Sequence, residues 1–189
     1  MKKIVIFASG SGSNAEKIIL HFKNSNQGNV VAVLTNNLHA KVLDKAKNND
    51  VEAIVFSKND LTEGIVLEKV NQIKPDLIVL AGFLLKFPDD IIAEYPNKII
   101  NIHPALLPKY GGKGMYGMNV HKTILENNEK ETGISIHYVN EHYDEGGIIF
   151  QQSVNIEDCK TPEEIAAKVH ELEHEYFPLT IEKLITNNQ

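Results

Sequence analysis

The segment KKIVIFASGSGSNAEKIILHF, residues 2–22, joins a short apolar run, a glycine-containing turn and an amphipathic stretch. The run KKIVIFA is typical of a buried strand, and the apolar residues of NAEKIILHF recur at helical spacing. The glycines lie between them, where a strand would turn into a helix. This segment therefore predicts the first strand and helix of a βαβ unit, with a loop at the carboxyl end of the strand.

The same alternation continues along the chain. The runs VVAVLT, EAIVF, DLIVLAG and KIINI predict further strands, whereas HAKVLDKAKNN and the segment 60–73 predict helices. This order is typical of a parallel sheet with helices on both faces and right-handed crossovers. From residue 133 the pattern changes: GISIHYVN and GGIIFQQSVNI predict two strands joined by a polar turn, and 161–185 predicts a closing helix capped by Thr161.

Composition limits the class of protein. With 189 residues, 42% of them hydrophobic, we expect one domain over 1–189 with a substantial core. A formal net charge of −6 argues against a general nucleic-acid or membrane surface. The single cysteine, Cys159, excludes an internal disulfide, and no apolar stretch approaches the ~20 residues of a membrane helix. We therefore expect a cytoplasmic protein with neither nucleic-acid nor membrane partners.

The glycine loop ASGSGSN, residues 8–14, predicts an anion site because backbone amides at a helix start attract negative charge. The loop spells G-x-G-x-x-A, close to the dinucleotide fingerprint, but the second strand ends in LTNN without an acidic residue for a ribose hydroxyl. The chain contains no arginine, so amides, hydroxyls or lysine must hold any phosphate. A single phosphate fits better than NAD, and a turn that needs glycine only for its backbone angles is the alternative.

A second polar group follows the apolar run of IINIHPALLPKY, residues 99–110. Asn101 and His103 are two positions apart, so on an extended chain they share a side. The carboxyl ends of parallel strands form one edge, so this pair should converge with Gly12 and Leu84, which follow other strands. Asp144, in EHYDEGG, is the candidate acid for the histidine, although an aspartate in such a turn is also ordinary turn chemistry.

Taken in order and spacing, ASGSGSN, LAGF, NIHPALLPKY and GISIHYVN with DEGG resemble the folate-dependent phosphoribosylglycinamide formyltransferases. The resemblance runs over nearly the whole chain, to EHEYFP at 173–178. It implies a single-domain, Rossmann-like α/β formyltransferase fold, with a mostly parallel sheet flanked by helices and a late antiparallel strand pair. It also implies transfer of the formyl group of 10-formyltetrahydrofolate, the co-substrate, to the amine of 5-phosphoribosylglycinamide in purine biosynthesis, without a metal.

The resemblance assigns a role to each candidate site residue. Asn101 and protonated His103 would bind the oxyanion of a tetrahedral intermediate, the pair would also handle protons, and Asp144 would raise the pKa of His103. The N-terminal half would bind the phosphoribosyl substrate and the C-terminal half would contribute to the folate site. The remaining roles are substrate phosphate and ribose binding by Gly12, Ser13, Asn14 and Glu173, and folate binding by Leu84, Leu85, Lys86, Phe87 and Asn101.

Several alternatives stay open. Another formyl-folate enzyme, such as a deformylase or a sugar-amine formyltransferase, would share the central motif, and a catalytically silent nucleotide-binding module would share the glycine loop. The loop GGKGMYG at 111–117 is no P-loop and is expected to cover the site. His121 either lines the site or opens a helix, and His137 either supports the site or packs in the core. The small-molecule enzyme is expected to be a monomer or a homodimer.

Overall fold

The computed structural model describes residues 1–187, which contain one seven-stranded sheet. Its order is β3-β2-β1-β4-β5-β6-β7. The first five strands are mutually parallel, and β6 and β7 are antiparallel to their neighbours. This arrangement confirms the α/β sheet with a late antiparallel pair. The strands are β1 (Lys2–Phe7), β2 (Gly28–Thr35), β3 (Glu52–Val55), β4 (Leu77–Leu80), β5 (Ile99–His103), β6 (Glu131–Tyr138) and β7 (Ile148–Asn155).

Within residues 1–187, seven helices accompany the sheet, and three of them differ from expectation. The single helix expected over 60–73 is wrong, because Gly64 takes a left-handed conformation (φ 82°) and divides it into two. The six-residue helix 89–94 is too short to show a helical period in the sequence. The helices are α1 (Ser13–Lys23), α2 (Val42–Lys47), α3 (Lys58–Thr62), α4 (Ile65–Ile73), α5 (Asp89–Glu94), α6 (Met118–Glu126) and α7 (Pro162–Asn187).

Side chains of β1 alternate between two hydrophobic layers. Ile4 and Ile6 pack beneath α1, α6 and α7, whereas Val5 and Phe7 pack beneath α3, α4 and α5. Each of these four side chains is fully buried. A sheet covered on both faces has no polar side, which explains why its central strands are continuously apolar. Within residues 1–187, no helix is long and apolar enough to cross a membrane.

The order of the strands fixes the place of the site. After β1 the chain moves outward to β2 and β3, and it then returns to the opposite side of β1 as β4 and β5. The two sets of connections therefore separate at the carboxyl ends of β1 and β4 and leave a crevice there. The loops after β1, β4 and β5 all begin at this crevice.

Candidate active site

A cavity of about 700 Å³ occupies the crevice. It brings together every residue that the sequence nominates for the site, from both ends of the chain. Among residues 1–187, no group of three or more histidine, cysteine or acidic side chains is arranged to hold a metal ion. The cavity is lined by 10–14, 80–87, 101–104, 112–118 and 139–144, together with His121, His137, His170 and Glu173.

The imidazole of His103 lies on the floor of the cavity with only 3% of the residue exposed. Its Nε2 lies 2.7 Å from the carbonyl oxygen of Tyr110. A carbonyl only accepts, so Nε2 carries a hydrogen. The opposite nitrogen, Nδ1, lies 3.5 Å from Oδ2 of Asp144, an ion-pair distance that is longer than a hydrogen bond. Asp144 does occupy a turn (φ 58°), but its carboxylate also faces the histidine.

Burial and charge act in opposite directions on this pair. Burial lowers the pKa of His103 and outweighs the raising effects of Asp144 and the Tyr110 carbonyl, so the net direction is below the ordinary value. The effect of Asp144 on the pKa of His103 therefore has the expected sign, but it is smaller than the effect of burial. For Asp144, burial raises the pKa, but contacts with His137, His103 and the Gly112 amide together lower it below its usual range.

His137 fixes the amide of Asn101. The two residues are directly paired between β5 and β6, and Nδ2 of Asn101 lies 3.1 Å from Nε2 of His137. The other ring nitrogen, Nδ1, donates to the carbonyl of Tyr138 at 2.8 Å, so in the neutral ring Nε2 accepts from the amide. This contact leaves the second amide hydrogen of Asn101 for the cavity. His137 is thus both buried in the sheet and in contact with the site.

The loop after β1 is built around Gly12, which has a left-handed conformation (φ 68°) and directly precedes α1. The first-turn amides of α1 have no partner within a regular helix, so they are available at the cavity wall. Asn14 donates from Nδ2 to Oε2 of Glu173 at 2.9 Å and so connects α1 to α7. Burial raises the pKa of Glu173, against the lowering effect of that hydrogen bond.

Residues 84–87 form another wall, and their side chains differ in environment. Leu84 is 56% exposed, and its amide donates to Oγ of Ser9 at 3.0 Å. Lys86 is engaged with Asp89 at 2.9 Å. Phe87 is buried against Phe7, with ring centroids 5.1 Å apart and perpendicular planes. The Phe87 side chain thus belongs largely to the core, although the residue also lines the cavity.

His121, whose place the sequence leaves open, is buried beside the cavity on α6 with 3% of the residue exposed. Its Nδ1 is enclosed and has no hydrogen-bond partner within residues 1–187. Burial, with smaller contributions from His170 and His103, lowers the pKa of His121 to about 4. The ring is therefore neutral at physiological pH. Its neighbours Val120 and Ile124 are core residues. His121 therefore falls within the apolar spacing of the helix, and the sequence gives no separate signal for it.

Comparison with known proteins identifies the family. The profile described as "Formyl transferase" matches residues 2–181, and the chain belongs to this family. It is 37% identical over 183 residues to the chloroplastic phosphoribosylglycinamide formyltransferase of Arabidopsis thaliana, with 93% of the chain and 63% of that protein covered. Identity to the Bacillus subtilis phosphoribosylglycinamide formyltransferase is 34%, with 100% and 97% covered.

A solved structure gives the same result. The crystal structure of phosphoribosylglycinamide formyltransferase from Brucella melitensis superposes with a TM-score of 0.88 at 34% identity. The match covers 97% of this chain and 95% of the other. The likeness therefore extends over nearly the whole of both chains. Against the plant relative, the chain spans a little less than two thirds of the other protein's length.

Proposed function

We propose that this chain transfers the formyl group of 10-formyltetrahydrofolate to the amine of 5-phosphoribosylglycinamide. The observation that carries the proposal is the meeting of Asn101, His103 and Asp144 in one cavity with the start of α1 and Glu173. One part of that cavity offers amide donors suited to a phosphate, and another offers groups suited to acyl transfer. The names of the relatives from Arabidopsis and Bacillus support the same activity.

The phosphate of the substrate would lie at the start of α1. Backbone amides of Ser13 and Asn14, in the first turn of α1, would donate to it, and the helix dipole favours negative charge there. A residue with a side chain at position 12 would collide with α2, so Gly12 lets the loop lie close to that helix. Glu173, already tied to Asn14, would accept hydrogen bonds from ribose hydroxyls. This assignment needs no arginine.

The folate would occupy the opposite part of the cavity, between 84–87 and 139–144. Leu84 and Tyr143 expose 56% and 46% of their surfaces beside the cavity and offer apolar contacts to a planar ring. The side chain of Lys86 already pairs with Asp89. The contacts of 84–87 with the pterin would therefore come from backbone groups. The formyl carbon would then lie between the pterin and the Asn101–His103 pair.

The reaction follows from the state of His103. The amine attacks the formyl carbon, and a carbon–nitrogen bond forms. The carbonyl oxygen becomes an oxyanion, which accepts a hydrogen bond from the second amide hydrogen of Asn101. The neutral ring takes the proton of the attacking nitrogen on Nδ1, and Asp144 stabilises the resulting imidazolium. The proton then passes to the folate nitrogen as its bond to the formyl carbon breaks. The products are the formylated amide and tetrahydrofolate.

The test is a direct assay. Purified protein is mixed with phosphoribosylglycinamide and 10-formyltetrahydrofolate, and transfer is followed by the folate absorbance. Asn101→Ala should retain the parental circular dichroism and lose on the order of 10²–10³ in kcat, the usual effect of removing one oxyanion donor. Folate turnover without the amine substrate would indicate a deformylase. Turnover with an amino sugar alone would indicate a sugar-amine formyltransferase, and substrate binding without turnover would indicate a silent nucleotide-binding module.

The cellular location and the oligomeric state of the protein stay predictions. The expectation of a cytoplasmic enzyme is tested by cell fractionation, since the Arabidopsis relative is named as chloroplastic. The expectation of a monomer or homodimer is tested by sedimentation of the purified chain with and without substrates. The substrates themselves are small molecules in this proposal.

A further inference from the structure

The ring orientation of His103 depends on a backbone atom of Tyr110. The carbonyl of Tyr110 holds Nε2–H at 2.7 Å, and this leaves Nδ1 as the nitrogen beside Asp144. The same hydrogen bond raises the pKa of His103 against the effect of burial. If the carbonyl moved, Nε2–H would lose its acceptor, and the ring would be free to rotate or to place its hydrogen on Nδ1. The proton acceptor proposed for the reaction would then be lost.

Tyr110 does not adopt an ordinary backbone conformation. Its φ is 57°, in the left-handed region that residues with a Cβ rarely occupy, so surrounding contacts must hold it there. The side chain supplies such a contact. Its phenol donates to Oε1 of Glu129 at 2.7 Å, across the segment that follows α6. Lys109 also reaches that carboxylate, at 3.3 Å, but its side chain is 72% exposed.

The same turn holds the acid. Two residues after Tyr110, the amide of Gly112 donates to Oδ2 of Asp144 at 2.9 Å. The turn also packs closely, because a Cβ at position 111 would lie 2.5 Å from Leu107 and 3.3 Å from the Cβ of Asp144. Residues 110–112 therefore contact both members of the histidine–aspartate pair through backbone atoms. A shift of this turn would move both partners.

We propose that the Tyr110–Glu129 hydrogen bond positions His103, and that it does so by fixing the carbonyl that selects the Nε2–H form of the ring. Tyr110 and Glu129 are positioning residues, since neither phenol nor carboxylate is required to touch a substrate. The expected effect on turnover rests on the proposed formyl transfer, whereas the effect on the ring does not.

The experiment compares Tyr110→Phe, Glu129→Gln and the control Lys109→Ala in the full chain. Two-bond ¹H–¹⁵N NMR correlations distinguish the two neutral forms of a histidine ring, and the His103 signals are assigned by their loss in His103→Gln. The parent should show the Nε2–H pattern without substrates. Tyr110→Phe should show a mixture of both forms, and Glu129→Gln, which keeps a neutral acceptor, should lie between it and the parent. Lys109→Ala should match the parent.

Turnover provides the second measurement. Because a charge-assisted hydrogen bond is lost, Tyr110→Phe should lower kcat on the order of tenfold, with the KM of each substrate changed less than about twofold. A parental ring pattern in both Tyr110→Phe and Glu129→Gln would overturn the proposal, whatever happens to turnover. An Nδ1–H pattern in the parent would overturn it too. If the parent lacked formyl transfer but the variants changed the ring pattern, the proposed function would fail and the positioning role would stand.

Discussion

The substitution Gly12→Ala tests whether the loop after β1 requires a glycine at this position. In Gly12→Ala, the new Cβ would lie 2.4 Å from Cγ2, 2.5 Å from Cβ and 2.8 Å from Cα of Val42. The last of these is a backbone atom of α2, so rotation of the Val42 side chain cannot remove the collision. The backbone at position 12 also has φ 68°, which an alanine tolerates poorly.

The two effects can be added to estimate the loss of stability. The left-handed conformation costs alanine about 1–2 kcal/mol, and overpacking of a buried contact costs about 1–3 kcal/mol. The free energy of unfolding should therefore fall by about 2–5 kcal/mol, out of the ~5–15 kcal/mol of a typical domain. For a chain of this size, the melting temperature should fall on the order of 10 °C.

Gly10→Ala is the matched control. It lies two residues earlier in the same loop, its added Cβ would meet nothing within 4 Å, and its φ is not in the positive region. Urea unfolding of both variants should show a change below about 0.5 kcal/mol for Gly10→Ala. Calorimetric titration with inorganic phosphate should show weaker binding only in Gly12→Ala, because that loop must move away from α2. Equal stability of the two variants would refute the close-contact argument, and unchanged phosphate binding in Gly12→Ala would place the phosphate elsewhere.

Three further predictions concern single side chains. In Asp144→Asn, the pKa of His103 should fall further below its ordinary value, because the carboxylate that raises it is gone. The kcat of this variant should fall on the order of 10²-fold. An NMR titration of the ring that matches the parent would show that Asp144 is only a turn residue. Ser13→Asp should raise the KM of the phosphate-bearing substrate far more than it lowers kcat, since a carboxylate would repel the anion, and an unchanged KM would contradict this placement. Because burial lowers the pKa of His121 to about 4, the folded state disfavours the protonated ring. As the pH falls from ~6.5 to ~4, the parent should therefore lose about 3 kcal/mol of stability relative to His121→Phe. Parallel curves of stability against pH in the two proteins would show that the ring is solvated.

The sequence predicts the sheet well because its central strands, such as β1 and β4, are buried on both faces. Continuous apolar runs such as those of β1 and β4 do not occur in the helices of residues 1–187, so both type and order can be read from them. Short helices are harder to predict. In α3 and α4 the apolar spacing continues across Gly64, and only the backbone angle of that glycine breaks the helix. The capping pair of Ser57 and Asp60 was the available signal for the start of α3.

Some features of the site can likewise be predicted from the sequence, and others cannot. Asn101 and His103 could be predicted because their two-residue spacing along one strand puts both on one side. The contact between Asn101 and His137 needs the register of β5 against β6, which no local pattern contains. The net pKa of His103 was equally inaccessible, since the sequence shows the charge of Asp144 but not the depth of burial that outweighs it.

In the proposed reaction, one histidine must both accept and release a proton, and the distances around Asp144 suit His103 to do so. A short, exclusive ion pair would keep His103 permanently charged, and a charged ring has no lone pair for the proton of the attacking amine. Asp144 instead faces two imidazoles at 3.5 and 3.6 Å and accepts its shortest hydrogen bond, 2.9 Å, from the Gly112 amide. Burial then keeps the resting ring neutral, while the carboxylate lies close enough to stabilise the imidazolium once it forms. The intermediate spacing, more than the mere presence of an acid, suits this pair to shuttle a proton.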